Sequence, residues 1–197
     1  MDSILTYIRK RKGYARMKDL KASGFQVRVI RQLVLDGKLV KVKPGLYRLS
    51  ALQPDENIGL VEICHAIPKA VISLTSALEF HDLTTHIPTY ISFAVPRWYK
   101  PPKIDSVPSK AYYFSLAQYG TGIEYHETQK GLIRIYGPEK TICDCFRFRH
   151  KLGEDLALEG LKSYLKRRTR DLQKLSMSSK ICRVEKVVQH YVRAIIG

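Results

Sequence analysis

The sequence predicts an α+β protein, with an N-terminal winged helix-turn-helix domain followed by a mixed α+β domain that ends in several helices. Three observations carry this expectation. Apolar residues recur at helical spacing three times before residue 36, and a basic β-hairpin pattern follows at once. Strand-like text between 71 and 136 then gives way to helical text from 138 onward. Segments of strand followed by segments of helix are what an α+β domain looks like in sequence.

Ile4, Leu5 and Ile8 predict the first helix, which runs into Arg9-Lys10-Arg11-Lys12 and stops at Gly13. Cations there sit at the negative end of the helix dipole. Tyr14-Ala15 reads as a short strand, and Met17 and Leu20 open a second helix ended by Ser23-Gly24. Val27, Ile30, Leu33 and Val34 share one face of a third helix. Arg28, Arg31 and Gln32 lie on the other side, with Gln26 at the N-terminal end. Two short helices joined by a tight glycine-containing turn form a helix-turn-helix unit.

Leu39–Lys43, Pro44-Gly45 and Leu46–Leu49 predict a hairpin, with Pro and Gly at the two central positions of a type II turn. If Lys43 faces Leu46, then Val42 faces Tyr47, Lys41 faces Arg48 and Val40 faces Leu49. Val40, Val42, Tyr47 and Leu49 would cover the helices, leaving Lys41, Lys43 and Arg48 on the other face. Type II turns match strand twist poorly, which leaves room for a bulge to shift this register.

The polar stretch Gln53-Pro54-Asp55-Glu56-Asn57 predicts a boundary, giving domains 1–53 and 54–197. Beyond it, Ile58 to Ala66 reads as a helix halted by Pro68. Val71-Ile72-Ser73 reads as a strand, and Ser73 to Phe80 as helical. Further strands are expected at Tyr90–Val95, Ala111–Ser115, Ile123–Thr128 and Leu132–Tyr136, the last two flanking a Lys130-Gly131 turn. Pro138 suits a first helical position and Glu139 its opening turn. Asp155–Leu165 and Arg183–Ile196 complete the helical end.

Charge points to the partner. Lys and Arg number 34 against 18 Asp and Glu, a net charge of +16. The excess is split: residues 1–53 carry +10, residues 54–138 carry −1 and residues 139–197 carry +7. A neutral middle between basic ends is not generic solubilising charge. Nucleic acid is the first partner to consider, because neutralising phosphates releases condensed counterions. No run approaches the ~18 apolar residues of a membrane span. No basic amphipathic helix with an aromatic face is visible, so no membrane partner is expected. The charges near the N-terminus stand on the wrong side of its apolar stretch for a signal peptide. The four cysteines are too few for a disulfide scaffold and suit a reducing compartment, which makes a cytoplasmic location the expectation.

A recognition helix reads base edges mainly from its N-terminal half, which nominates Gln26, Arg28, Arg31 and Gln32. Arg pairs with guanine O6/N7 and Gln with adenine N6/N7. Arg16 and Lys18, with Lys41, Lys43 and Arg48 of the hairpin, are placed for phosphates. Arg147, Arg149, Lys162, Lys166, Arg167, Arg168 and Arg170 are candidates for a second nucleic-acid face. The competing reading is a solvated helix face with a cationic end.

Catalysis finds little support. Cys143-Asp144-Cys145 lacks the second spaced pair of a zinc site, and core cysteine is the favoured reading. Glu79, His81 and Asp82 have no partnered nucleophile. Neither phosphate-binding glycine motif occurs, so no cofactor, metal or enzymatic activity is expected.

Several segments resemble AbiEi-type antitoxins. They are Gly37-Lys38-Leu39-Val40 with Pro44-Gly45-Leu46-Tyr47-Arg48-Leu49, then Ile72 to Leu83, Ala94-Val95-Pro96-Arg97, Tyr136 to Asp144 and Gly153 to Glu159. The resemblance implies an antitoxin of a bacterial type IV toxin–antitoxin pair, some of which act in phage defence by abortive infection. It further implies a winged helix that represses the shared promoter at repeated DNA elements. The C-terminal domain would counteract a nucleotidyltransferase-like toxin without a stable complex. Two other readings stay open: a transcription factor with an effector-binding C-terminal domain and no toxin partner, and a basic enzyme acting on nucleic acid.

Overall fold

The computed structural model describes residues 2–52 and 57–197. Gln53, Pro54, Asp55 and Glu56 of the expected boundary stretch lie outside the described residues. The architecture is mixed α+β, in two compact units. The first gathers the described residues of Met1–Pro68 with Pro101–Pro108 and Glu127–Ile133; the second takes Lys69–Lys100, Ser109–His126 and Arg134–Gly197.

The first unit runs α1 (Asp2–Lys10), β1 (Tyr14–Arg16), α2 (Met17–Ala22), α3 (Val27–Leu35), β2 (Leu39–Lys43), β3 (Leu46–Leu49) and α4 (Ile58–Ala66). The three strands form an antiparallel sheet in the order β1-β3-β2. Helical spacing explains the core: Ile4 and Ile8 of α1, Leu20 of α2, and Ile30 and Leu33 of α3 are buried together with Leu39, Tyr47 and Leu49 of the hairpin. On α3 the fully buried stripe is narrower than the sequence face, with Val27 and Val34 both only half-buried.

The hairpin register departs from the simple expectation. Lys43 does face Leu46, but a bulge between Lys41 and Lys43 makes Lys41 face Tyr47, Val40 face Arg48 and Leu39 face Leu49. The turn explains it. Gly45 has φ +78°, the left-handed value required at the second central position of a type II turn. That turn splays the strands, and one unpaired residue absorbs the mismatch. As a result Leu39 and Val42 are buried, while Val40 is half-buried and not part of the inner face as expected.

Arg48 also behaves differently from the other hairpin cations. Its Nε donates to Oε2 of Glu62 at 2.8 Å, and the Glu62 side chain is only 2% exposed. The expected phosphate role is therefore corrected: Arg48 is committed to neutralising a buried carboxylate. Beside the pair, the Tyr14 ring stacks on His65 with centroids 4.5 Å apart. Burial, and then the Glu62 charge, push the Tyr14 phenol well above its ordinary range. The predicted Lys130-Gly131 turn meets the same neighbourhood. Gly131 has φ +157°, and a Cβ there would lie 2.6 Å from Nε2 of His65, so no larger residue fits.

The five-stranded sheet contains β4 (Val71–Ile72), β5 (Ile91–Pro96), β6 (Ser109–Phe114), β7 (Ile123–Glu127) and β8 (Leu132–Tyr136), in the order β6-β5-β4-β8-β7. β5 runs parallel to β6 and antiparallel to β4, which in turn runs parallel to β8. In the second unit, helix α5 (Leu74–Phe80) packs on α7 (Pro138–Arg147), as do α9 (Glu154–Leu165), α10 (Leu172–Cys182) and α11 (Glu185–Ile196). The short α6 (Leu116–Tyr119) and α8 (Arg149–Leu152) complete it.

Pro138 opens α7, where a missing N–H costs nothing. The helix is buried over most of its length: Ile142, Cys143, Cys145 and Phe146 are fully enclosed. So are Lys140 and Asp144, whose ion pair is 2.5 Å long, and the Cys182 thiol donates to the same carboxylate at 3.2 Å. Burial pushes the Cys143 and Cys145 thiols up, which makes them poor nucleophiles.

Removing one partner of a buried ion pair strands the other charge. Arg48→Ala is therefore expected to lower unfolding stability by about 3 kcal/mol. The double replacement Arg48→Met with Glu62→Leu should recover most of that loss. Urea denaturation checks both, and a loss in Arg48→Ala below about 1 kcal/mol would mark the pair as no stronger than a surface bridge.

Candidate nucleic-acid interface

Arg16 ends β1 and, with extended backbone, serves as the N-cap residue of α2. The next N–H, that of Met17, donates to the Gly45 carbonyl at 2.8 Å. One hydrogen bond thus fastens the start of α2 to the turn of the hairpin. Around this junction Arg16, Lys18, Lys21 and Lys43 line a groove of about 510 Å³, and among the described residues no acidic side chain stands in its wall. Arg16, Lys18 and Lys21 are exposed, and Lys43 is half-buried. Burial first, and the Arg16 charge second, draw the Lys43 ammonium below its ordinary value. An anion in the groove would oppose both effects, because it supplies the missing opposite charge.

Polar and aromatic contacts tie α1 to the end of α2 and to the turn that precedes α3. The Ser23 hydroxyl lies 2.8 Å from the Tyr7 hydroxyl and 2.9 Å from the Asp19 carbonyl. The Tyr7 ring meets Phe25 edge to face at 5.3 Å. With α3 fixed through Ile30 and Leu33, Arg28 and Arg31 are left exposed. Gln26 stands at the N-cap, exposed, and its side chain makes no capping bond. Gln32 is more committed, since its Nε2 donates to Oδ1 of Asp36 at 2.8 Å. Lys41 is exposed on β2.

Of the sequence candidates, the structure brings Arg16, Lys18 and Lys43 to one groove and withdraws Arg48 from it. Lys21 joins them unannounced. Three residues after Lys18 on a short helix, it reads in sequence as an ordinary cation at a helix end.

In the second unit the seven basic candidates divide. Arg147 and Arg149 line a pocket together with Arg97 and Arg183, neither of which is among the sequence candidates for a basic site. Arg167 donates to the carbonyl oxygens of His81 and Asp82, so it secures the end of α5. Lys162, Lys166, Arg168 and Arg170 do not line that pocket.

Residues 2–50 match the family model described as a transcriptional regulator, AbiEi antitoxin. This segment is similar to that regulator family. It spans α1 to β3 and includes Arg16, Lys18, Lys21 and Lys43, so the groove lies in the part of the chain that the regulator family describes. The chain also superposes on the crystal structure of the RV2827C protein from Mycobacterium tuberculosis. The match covers 96% of this chain and 79% of that one, with a TM-score of 0.58 and 14% identity, a likeness of fold alone. No curated protein matches the sequence. Among the described residues, no helix is long and apolar enough to cross a membrane, and no group of three His, Cys, Asp or Glu side chains is placed to hold a metal ion.

Replacing Arg16 by Gln removes the lesser of the two effects on Lys43. Its ammonium should then titrate at higher pH than in the wild type while staying below an exposed lysine. NMR titration of the Lys43 side chain measures this, and an unchanged midpoint would show that the two cations do not share the groove.

Proposed function

We propose that the first unit is a winged helix-turn-helix that binds duplex DNA upstream of the chain's own gene and represses transcription there, without catalysis. Gln26, Arg28 and Arg31 on α3 read base edges in the major groove. Arg16, Lys18, Lys21, Lys41 and Lys43 hold phosphates and set the register. The observation that supports this most directly is the four-cation groove at the junction of α2 and the hairpin turn, within the AbiEi-type segment. In this reading the second unit carries the antitoxin function, opposing a nucleotidyltransferase-like toxin without forming a stable complex.

The test is fluorescence anisotropy of the full chain on the upstream duplex against a scrambled one, across a salt series. Preference for the upstream duplex is expected. Arg28→Ala should reduce that preference. Lys18→Ala should weaken both duplexes alike and lower the salt slope by about 0.9, the amount that corresponds to one phosphate fewer neutralised. Equal, weak and salt-sensitive binding to both duplexes would overturn autorepression. Growth rescue on co-expression with a nucleotidyltransferase-like toxin tests the antitoxin half separately.

A further inference from the structure

One pocket of the second unit gathers four arginines. Arg97 follows β5, Arg147 ends α7, Arg149 begins α8 and Arg183 joins α10 to α11. Four separate elements therefore deliver guanidinium side chains to one space of about 300 Å³, and among the described residues no Asp or Glu lines it. Glu154 approaches Arg149 Nε only at 3.8 Å, from outside the lining. Like charges converging in this way repel one another, and the repulsion is relieved by an anion between them.

The cluster is built rather than incidental. The Arg147 guanidinium lies against the rings of Phe114 and Phe148, 5.5 Å and 5.3 Å from their centroids. Its Nη1 is buried with no hydrogen-bond partner among the described residues, an arrangement that is costly unless something accepts from it. Arg149 is held by a bond from Nη1 to the Phe146 carbonyl at 2.9 Å. The Arg97 backbone N–H donates to the Phe114 carbonyl at 3.0 Å, which fixes its backbone beside β6. Arg183 has φ +61°, a left-handed conformation ordinarily given to glycine or asparagine at a helix end. Gln118, buried, supports the wall: it accepts from the Ser115 hydroxyl at 2.8 Å and donates to the Ile181 carbonyl at 3.3 Å.

We propose that this pocket binds the phosphate group of a small phosphate monoester. A dianion matches a multi-arginine wall better than the single charge of a nucleic-acid diester, and planar guanidinium groups pair with phosphate oxygens two at a time. The space exceeds what the phosphate oxygens fill, so it admits part of the group esterified to it. The site is independent of the DNA-binding reading of the first unit, and neither stands or falls with the other.

Isothermal titration calorimetry of the full chain with AMP, inorganic phosphate and adenosine tests the proposal. AMP and phosphate should bind and adenosine should not. Tighter binding of AMP than of phosphate is expected of a monoester site, and equal binding would overturn the monoester in favour of free phosphate. Arg183→Gly removes a charge while suiting the left-handed backbone, and Arg97→Gln alters an exposed side chain, so both variants should fold. Each should weaken binding about tenfold. Circular dichroism melting of the same samples separates misfolding from loss of the site. Failure of both AMP and phosphate to bind the wild type overturns the proposal. So does undiminished binding by both variants, and so does loss of duplex DNA affinity in the variants where AMP does not bind.

Discussion

The pairing of β3 with both β1 and β2 is the constraint on which the first unit depends. Tyr47 and Leu49 of this central strand enter the core with Ile4, Ile8, Ile30 and Leu33. Between them Arg48 points the other way, to the buried Glu62 of α4. Just before the strand, Gly45 accepts the Met17 N–H, so the strand also positions the start of α2. Core, ion pair and basic groove are thus all indexed to four residues, and a slip of one residue would exchange the core side chains for the charged one.

The two units handle charge in different ways. In the first, most cations stay in solvent, and the Glu62 carboxylate drawn inside is answered by Arg48. In the second, Lys140 and Asp144 are enclosed together one helical turn apart, with the Cys182 thiol as a further donor. An i,i+4 pair buried this deeply is weak evidence for stability, and it is the Cys182 thiol of α10 that ties this face of α7 to a neighbouring helix. Arg147, the last residue of the same helix, stands at the arginine pocket.

Much of the secondary structure was legible because local chemistry settles it. The helical spacing of Ile4, Ile8, Ile30 and Leu33, the Pro44-Gly45 turn and Pro138 at a first helical position each correspond to an element boundary or core residue. Less legible were positions where a distant partner decides. Val40 and Lys41 changed opposite residues because of a bulge that the pattern of alternation does not encode. Arg48 carries the same signal in sequence as Lys41 and Lys43, and only Glu62, fourteen residues on, distinguishes it. Lys21, Arg97 and Arg183 joined basic sites although each stands in sequence as an isolated cation.

By itself the sequence determined the α+β class, the order of the N-terminal elements, the concentration of positive charge at both ends and the exposed face of α3. These are properties of neighbouring residues, governed by backbone period and turn chemistry. Only the tertiary structure decided which cations share a groove and which are neutralised inside. It also decided that α4 and the segments Pro101–Pro108 and Glu127–Ile133 gather with the N-terminal helices. The physical reason is the same in each case. A charge is set by the company it keeps, and that company is assembled from residues far apart in the chain, where burial and pairing rather than local propensity fix the outcome.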